Sequence, residues 1–309
     1  LSEAGKRPAS PSAQYERARA MIAAGTLNGR SLGDDAIVVL EDNRNLPGAS
    51  TLFEASLIVL SANAKMPADP AWWDSIIDKL RKRVAHDLAG TKLSRERALA
   101  SVVRLLDLGV VRGGNESYAK ANNSFGATTL RQRHVNVSGK TVKLRFRAKS
   151  GKMAEVSVTD HRLAHSVRKM EDLPGQRLFQ YLDDDGEAHP VGSAEVNDYL
   201  CETMGEHFTA KNFRTWHASA IAFGLLAKAD GQLSIKALME EVSDKLGNTP
   251  AIARKSYVHP AVVALVERQA KWRKGLKLPR KTRWLSREER GLLELLESGP
   301  GAAKLLAGS

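Results

Sequence analysis

The stretch HVNVSGKTVKLRFRAKSGKMAEVSV, residues 134–158, decides the fold. Apolar and polar residues alternate through 134–137, 141–147 and 154–158, the two-residue period of strands with one buried face. Ser138-Gly139 and Ser150-Gly151 break the alternation where tight hairpin turns need backbone freedom, which predicts a three-stranded antiparallel meander. Lys149 falls at the second turn, where an ammonium reaches solvent. A lysine beside a hairpin turn is also ordinary solubilising chemistry.

On both sides of this stretch the period becomes helical. Upstream, Asp69 and Pro70 start a helix with Trp72, Ile76, Ile77 and Leu80 on its apolar side. Ser94 can cap the next helix, in which Leu99, Val102, Val103, Leu106 and Val110 follow helical spacing into VRGGN, 111–115. The paired glycines there are expected to stop the helix. Arg112 then either points into a cleft or decorates a helix C-terminus. Downstream, helices are expected over 160–169, 193–205, 212–229 and 235–246. The fold class is therefore α+β and mainly α, a helical domain with one small sheet.

Among 309 residues, 47 Lys/Arg against 35 Asp/Glu give a net charge of +12. Residues 1–66 carry seven of each sign, so the whole excess lies in the rest of the chain. A basic body of that size suits a polyanion, although many soluble proteins are merely basic. Cys201 is the only cysteine, which excludes an intramolecular disulfide and a cysteine-rich metal site and fits a reducing compartment. The eight histidines show no HExxH spacing, and the acidic run Asp183-Asp184-Asp185 lacks the closing glutamate of a calcium loop, so no metal or cofactor is expected. The longest apolar runs are far short of a membrane span, and no signal peptide is visible. The chain begins at Leu1 rather than Met, as a processed or partial chain would.

Both ends differ from the middle. Residues 1–14 read as a loose tail, and the runs at 36–40 and 57–60 fit either short strands or buried helix pieces. Tyr15 and Phe53 are the only aromatic residues in the first 66, too few for a base-stacking platform. Residues 268–283 hold eight Lys/Arg and no acid, with Trp272 and Trp284 interleaved, before a capped helix from Ser286 through Leu296. That segment reads either as a nucleic-acid contact or as a linker to a packed helix.

The residues 248–257, NTPAIARKSY, carry the chemistry. Thr249 is a hydroxyl N-cap and Pro250 suits the first helical position. Arg254 and Lys255 make the short helix basic, and Pro260 limits it beyond Tyr257. Alone, a tyrosine there is usually a packing residue. Beside Arg112, Lys149 and Arg214 it gains another reading. Two guanidiniums can clamp a phosphodiester through its charged transition state, a lysine can protonate the departing oxygen, and a phenol can attack phosphorus.

Five stretches carry a family resemblance: VRGGNESYAKANNSFGATTLRQRHV (111–135), RFRAKSGK (145–152), DLPGQRLFQYLDDDGE (172–187), TAKNFRTW (209–216) and LGNTPAIARKSYVHPAV (246–262). In their order and spacing the chain resembles the type IB DNA topoisomerases, in particular the compact poxvirus and bacterial branch, which are related to the tyrosine recombinases. The resemblance covers about residues 70–265. It implies that Tyr257 is the nucleophile of a 3′-phosphotyrosyl intermediate and that Arg112 and Arg214 stabilise the transition state. It further implies that Lys149 is the general acid for the 5′-hydroxyl and that Asn248 binds a non-bridging oxygen. Tyr118, Ser193 and Lys211 match positions that contact the DNA backbone.

By the same resemblance the chain is expected to relax supercoiled duplex DNA by strand rotation without ATP, metal or cofactor. It is expected to be monomeric, cytoplasmic and nucleoid-associated, with double-stranded DNA as its partner. The domains implied are residues 1–66 as an atypical N-terminal segment unlike the family's β-rich clamp half, 67–267 as the catalytic domain, and 268–309 as a basic linker and C-terminal helix. Two rivals use the same fold: a tyrosine recombinase or integrase, and a DNA-binding protein without turnover. Recombinases typically carry histidine where Lys211 and Asn248 stand, and the complete set of four catalytic side chains disfavours the second rival.

Overall fold

The computed structural model describes residues 70–204 and 208–298. The expectations for residues 1–66, for Asp69 and for the Trp72 side chain lie outside the described residues. Residues from Trp73 to Leu293 make one compact unit. Of the other unit, Leu1–Trp72 with Glu294–Ser309, only the first residues of one helix and the last residues of another are described.

The upstream helices are α1 (Pro70–Asp87), α2 (Arg95–Gly109) and the short α3 (Glu116–Asn122). Ser94 caps α2 by accepting from the Arg97 amide at 3.3 Å. Leu99, Val102, Val103, Leu105 and Leu106 are all buried, because α2 packs against helices on more than one side and against the sheet. The expected glycine stop is not what ends this helix. It ends at Gly109, and Val110 takes the left-handed cap position at φ 54°. Gly113 and Gly114 lie beyond it and serve a different purpose in the site.

The meander forms as expected, with each strand shifted by no more than a residue at its ends. β1 (Val135–Ser138), β2 (Thr141–Arg147) and β3 (Met153–Thr159) pair antiparallel in chain order, with Val135 opposite Leu144 and Arg145 opposite Glu155. Val142, Leu144 and Phe146 are buried while Lys143, Arg145 and Arg147 are exposed, the alternation written in the sequence. The turn between β2 and β3 is a 3-10 turn, Lys149–Gly151, with Ser150 at φ 65° and Gly151 at φ 74°.

After the sheet come α4 (His161–Glu171), the hairpin β4 (Gln180–Leu182) and β5 (Ala188–Pro190), α5 (Ser193–Met204), α6 (Ala210–Lys228) and α7 (Ile235–Leu246). The Asp183–Asp185 run closes the β4–β5 hairpin. Asp183 spends one oxygen on the amides of Asp185 and Glu187 at 3.1 and 2.8 Å. Then follow α8 (Pro250–Ser256), α9 (Pro260–Val263), α10 (Leu265–Gly275) and α11 (Arg287–Ser298). Ser286 and Glu289 cap α11 reciprocally: Ser286 Oγ accepts from the Glu289 amide at 3.1 Å and Glu289 Oε2 from the Ser286 amide at 2.8 Å. The molecule is thus mainly α with one three-stranded sheet.

Candidate active site

Three chain segments converge, each at the end of a helix or beside one. The first is residues 110–115, just past α2. The Arg112 carbonyl accepts from the Ala127 amide and the Gly113 carbonyl from the Thr128 amide, both at 2.8 Å, so this segment is zipped to residues 126–128. The approach is closer than a side chain permits. A Cβ on Gly126 would lie 2.7 Å from the Arg112 carbonyl oxygen and from Gly114 Cα. Backbone approach at this range fixes where the Arg112 side chain leaves the chain.

The second segment is the start of α6. Its N-terminus is tied to α5 through Asn197, which accepts from the Ala210 amide at 3.2 Å. Arg214, the fifth residue of α6, is 4% exposed. It donates from Nη1 to the Val110 carbonyl and from Nη2 to the Leu246 carbonyl, each at 2.8 Å. Those carbonyls end α2 and α7, where the helix dipole favours a cation. Its Nε is buried without a partner.

The third segment joins α7 to α8. Gly247, at φ 63°, closes α7, and the Asn248 amide bonds back to the Ser243 carbonyl at 3.0 Å. Asn248 Oδ1 accepts from Arg112 Nη2, while Asn248 Nδ2 is buried without a partner. Thr249 caps α8 by accepting from the Ile252 amide at 3.3 Å, with Pro250 at the first turn. Tyr257 ends α8 and is 9% exposed. The Arg214 guanidinium lies 5.0 Å from the centre of its ring. Ser219 Oγ, from the middle of α6, donates to the Tyr257 carbonyl at 3.3 Å and accepts from the His259 amide at 2.9 Å.

Arg112, Asn248, Arg214 and Tyr257 therefore form one connected group. Lys149 and Tyr118 join it through a cleft of about 750 Å³, lined by Arg112, Asn115, Tyr118, Arg147, Lys149 and Gly151 among others and by no acidic residue. Lys149 is exposed in its turn, and Tyr118 is 57% exposed on α3. Lys211, exposed on α6, is close enough to Tyr257 to act on its charge. Ser193, exposed at the start of α5, is not drawn into this group.

The electrostatics are unbalanced toward positive. Burial pushes the Tyr257 phenol up, but Arg214, Arg112 and Lys211 outweigh it and bring the group below its ordinary value. Burial and then the charge of Arg112 push Arg214 down, with Tyr257 opposing them. Other arginines are neutralised by carboxylates: Arg104 by Asp160 at 2.7 Å, and Arg95 by Glu195 at 2.8 Å. Among the described residues no carboxylate pairs with Arg112 or Arg214. Two like charges held together beside two unfilled buried donors make a receptor for an anion.

The family model for the catalytic core of eukaryotic DNA topoisomerase I matches residues 72–275. The chain belongs to the type IB DNA topoisomerase family. It is 28% identical over 196 residues to a DNA topoisomerase 1B of Acanthamoeba polyphaga mimivirus, across 59% of this chain and 58% of that protein. To a DNA topoisomerase 1 of Mycosarcoma maydis it is 26% identical over 175 residues, 51% of this chain and 17% of that protein. The chain thus spans little more than half the length of the viral relative and a small part of the fungal one. The viral relative accords with the compact branch that the motifs resemble.

Some site residues of this type IB chain were not legible as such. Gly126 and Gly114 matter through a backbone approach that no local pattern announces. Ser219 sits inside an apolar helix, and its hydroxyl finds Tyr257 and His259 only once α6, α8 and α9 pack. Arg147 lines the cleft, yet in sequence it is one exposed strand position among several.

Proposed function

We propose that the chain is a DNA topoisomerase that cleaves one strand of duplex DNA through Tyr257, lets it rotate and reseals it. The observation that carries this reading is the buried phenol beside Arg214 and Arg112, with Arg214 Nε and Asn248 Nδ2 unfilled next to it. Tyr257 Oη attacks phosphorus, forming the P–O bond of a 3′-phosphotyrosine as the bond from phosphorus to the 5′ oxygen breaks. The phenolic proton leaves to solvent, helped by the surrounding cations, which favour phenolate. The non-bridging oxygens gain charge in the transition state, and Arg112, Arg214 and Asn248 are the donors suited to hold it. Lys149, at the mouth of the acid-free cleft, supplies the proton to the departing 5′ oxygen. Resealing is the same path in reverse, so the energy of the broken bond is kept in the phosphotyrosine and ATP has no part to play.

In this reading Tyr118, Lys211 and Ser193 grip phosphates flanking the break, and the enzyme works as a monomer on double-stranded DNA. No helix among the described residues is long and apolar enough to cross a membrane. The test is relaxation of supercoiled plasmid with chelator present and ATP absent. Wild type should relax it, and Tyr257→Phe should abolish both relaxation and the covalent adduct while binding DNA nearly as before. Failure of wild type to relax plasmid rejects the proposal. Exchange of strands between two specific sites would instead favour the recombinase reading.

A further inference from the structure

The C-terminal half of α10 and the segment that joins it to α11 form a strap with a feature that the cleft chemistry does not use. From residue 268 to residue 287 there are nine Lys/Arg and no acid. Some exposed lysines elsewhere find carboxylates, Lys120 pairing with Glu116 at 3.9 Å and Lys228 with Glu288 at 2.7 Å. Here Lys271, Lys274, Lys277, Arg280 and Lys281 are all exposed, and among the described residues none of their side chains makes an ion pair or hydrogen bond.

The backbone beneath them is nonetheless held from within. Arg287 donates to the carbonyls of Leu278 and Pro279 at 3.1 and 3.2 Å, and Arg290 donates to the carbonyl of Arg280 at 2.6 Å. Thr282 Oγ1 accepts from the amides of Trp284 and Leu285 at 3.2 and 3.0 Å, and Leu285 is buried. Trp272, read from sequence as a possible stacking platform, packs edge-on against Phe223 at 5.3 Å. Some arginines are thus used to anchor the strap, and the remaining cations are displayed on it. Holding five like charges on a fixed backbone is repulsive. A polyanion with spaced charges relieves that repulsion at small entropic cost, because the strap is already ordered.

We propose that this strap is a second DNA-phosphate contact surface, outside the cleft that Arg112 and Lys149 line, engaging the duplex through Lys271, Lys274, Lys277, Arg280 and Lys281. The choice of DNA rests on the function proposed above, since a duplex long enough to be supercoiled extends far beyond one cleft. Each phosphate neutralised releases counterions and adds about 0.9 to the slope of log affinity against log salt.

The test compares Tyr257→Phe protein with the same protein carrying all five residues as Gln, binding a 40-base-pair duplex of arbitrary sequence over a range of salt. The expected result is a slope shallower by about 0.9 for each phosphate no longer neutralised, roughly 4.5 in all, with affinity at least tenfold weaker at physiological salt. A slope that changes by less than about 0.9, the share of a single phosphate, overturns the proposal. So does retention of duplex binding by the fivefold variant together with loss of binding to anionic phosphatidylserine vesicles, which would assign the strap to a membrane surface. Should the fivefold variant fold poorly, Lys277→Gln with Lys281→Gln should shift the slope by about 1.8, and no shift counts against the strap equally. The two readings fail separately. Wild type that binds DNA but never relaxes it sinks the topoisomerase mechanism and leaves the slope comparison standing, whereas normal relaxation with an unchanged slope sinks the strap alone.

Discussion

Asn248 has two ends that face different partners, and that makes it the sharpest residue to test. Its Oδ1 holds Arg112, and its Nδ2 is a buried donor with nothing to donate to. Asn248→Ala removes both and should slow single-turnover adduct formation by about 10²–10³, as loss of one transition-state donor does. Asn248→Asp should strengthen the hold on Arg112 and keep the melting temperature, yet cleave more slowly still, because a carboxylate would face the phosphate. If the aspartate variant cleaves faster than the alanine variant, Nδ2 does not face the phosphate. Nearby, His259 caps α9 by accepting from the Ala261 amide at 3.1 Å through Nδ1, which must therefore be unprotonated. Burial lowers its pKa from 6.5 to about 4. Between those values the unfolded chain binds the proton and the folded one does not, so this stability is full above about pH 6.5 and lost as pH falls toward 4. Burial, then Arg133 and Arg131, push His134 in the same direction, also to about 4. The melting temperature should fall across that window, and His259→Asn, which keeps a capping acceptor without the titration, should flatten part of the fall. An unaltered acid limb in that variant would show that His259 does not contribute to it. At this scale the candidate set Arg112, Lys149, Arg214 and Tyr257 was legible because the proposed chemistry rests on residue type and order along the chain. Ser219 was not, because its role exists only where three helices meet.

Elements were legible wherever period and caps agree. Ser94, Thr249 and Ser286 mark helix starts because a side-chain oxygen and the amides it caps are close in sequence. The end of α2 was misread because a left-handed cap favours glycine without requiring it, and Val110 holds that position while its carbonyl takes the Arg214 guanidinium. What the pattern could not give is how α11 meets the helices that carry the site. Arg81 of α1 forks onto Asp107 of α2 and Glu289 of α11, at 2.7 Å from each. Glu289 also accepts from Trp216 Nε1 at 2.9 Å, two residues beyond Arg214 on α6. Burial opposes all three charges. Arg81 is nonetheless raised by its two carboxylates, and Asp107 and Glu289 are held low by Arg81. Removing one member of such a buried group strands the others, at about 3–5 kcal/mol. Glu289→Ala should therefore lower stability by that order and speed amide exchange at the start of α6. Trp216→Phe should lose the hydrogen bond to Glu289 and part of the indole packing while leaving the carboxylate in place, at about 1–2 kcal/mol. Equal losses for the two variants, measured by denaturant unfolding, would show that the carboxylate is not the centre of this group.

At the scale of the whole molecule, charge separates the neutral first 66 residues from the basic remainder of the chain. The compact unit Trp73–Leu293 and the family match at residues 72–275 both begin just past the neutral first 66 residues. Those residues carry seven charges of each sign, so they add nothing net to the field that draws a polyanion. Within the compact unit the cleft has no acidic lining, and neither Arg112, which lines it, nor the buried Arg214 has a carboxylate partner among the described residues. Counterion release follows phosphate neutralisation, and cations already paired with acids contribute little to it. A chain shortened to begin at residue 67 should therefore bind duplex DNA with a salt slope within about 0.9 of the full chain, the share of one phosphate. It should also form the Tyr257 adduct at a comparable single-turnover rate. A much shallower slope would mean that the first 66 residues touch several phosphates despite their neutrality. A kept slope with slower adduct formation would assign them to ordering the cleft rather than to holding the duplex.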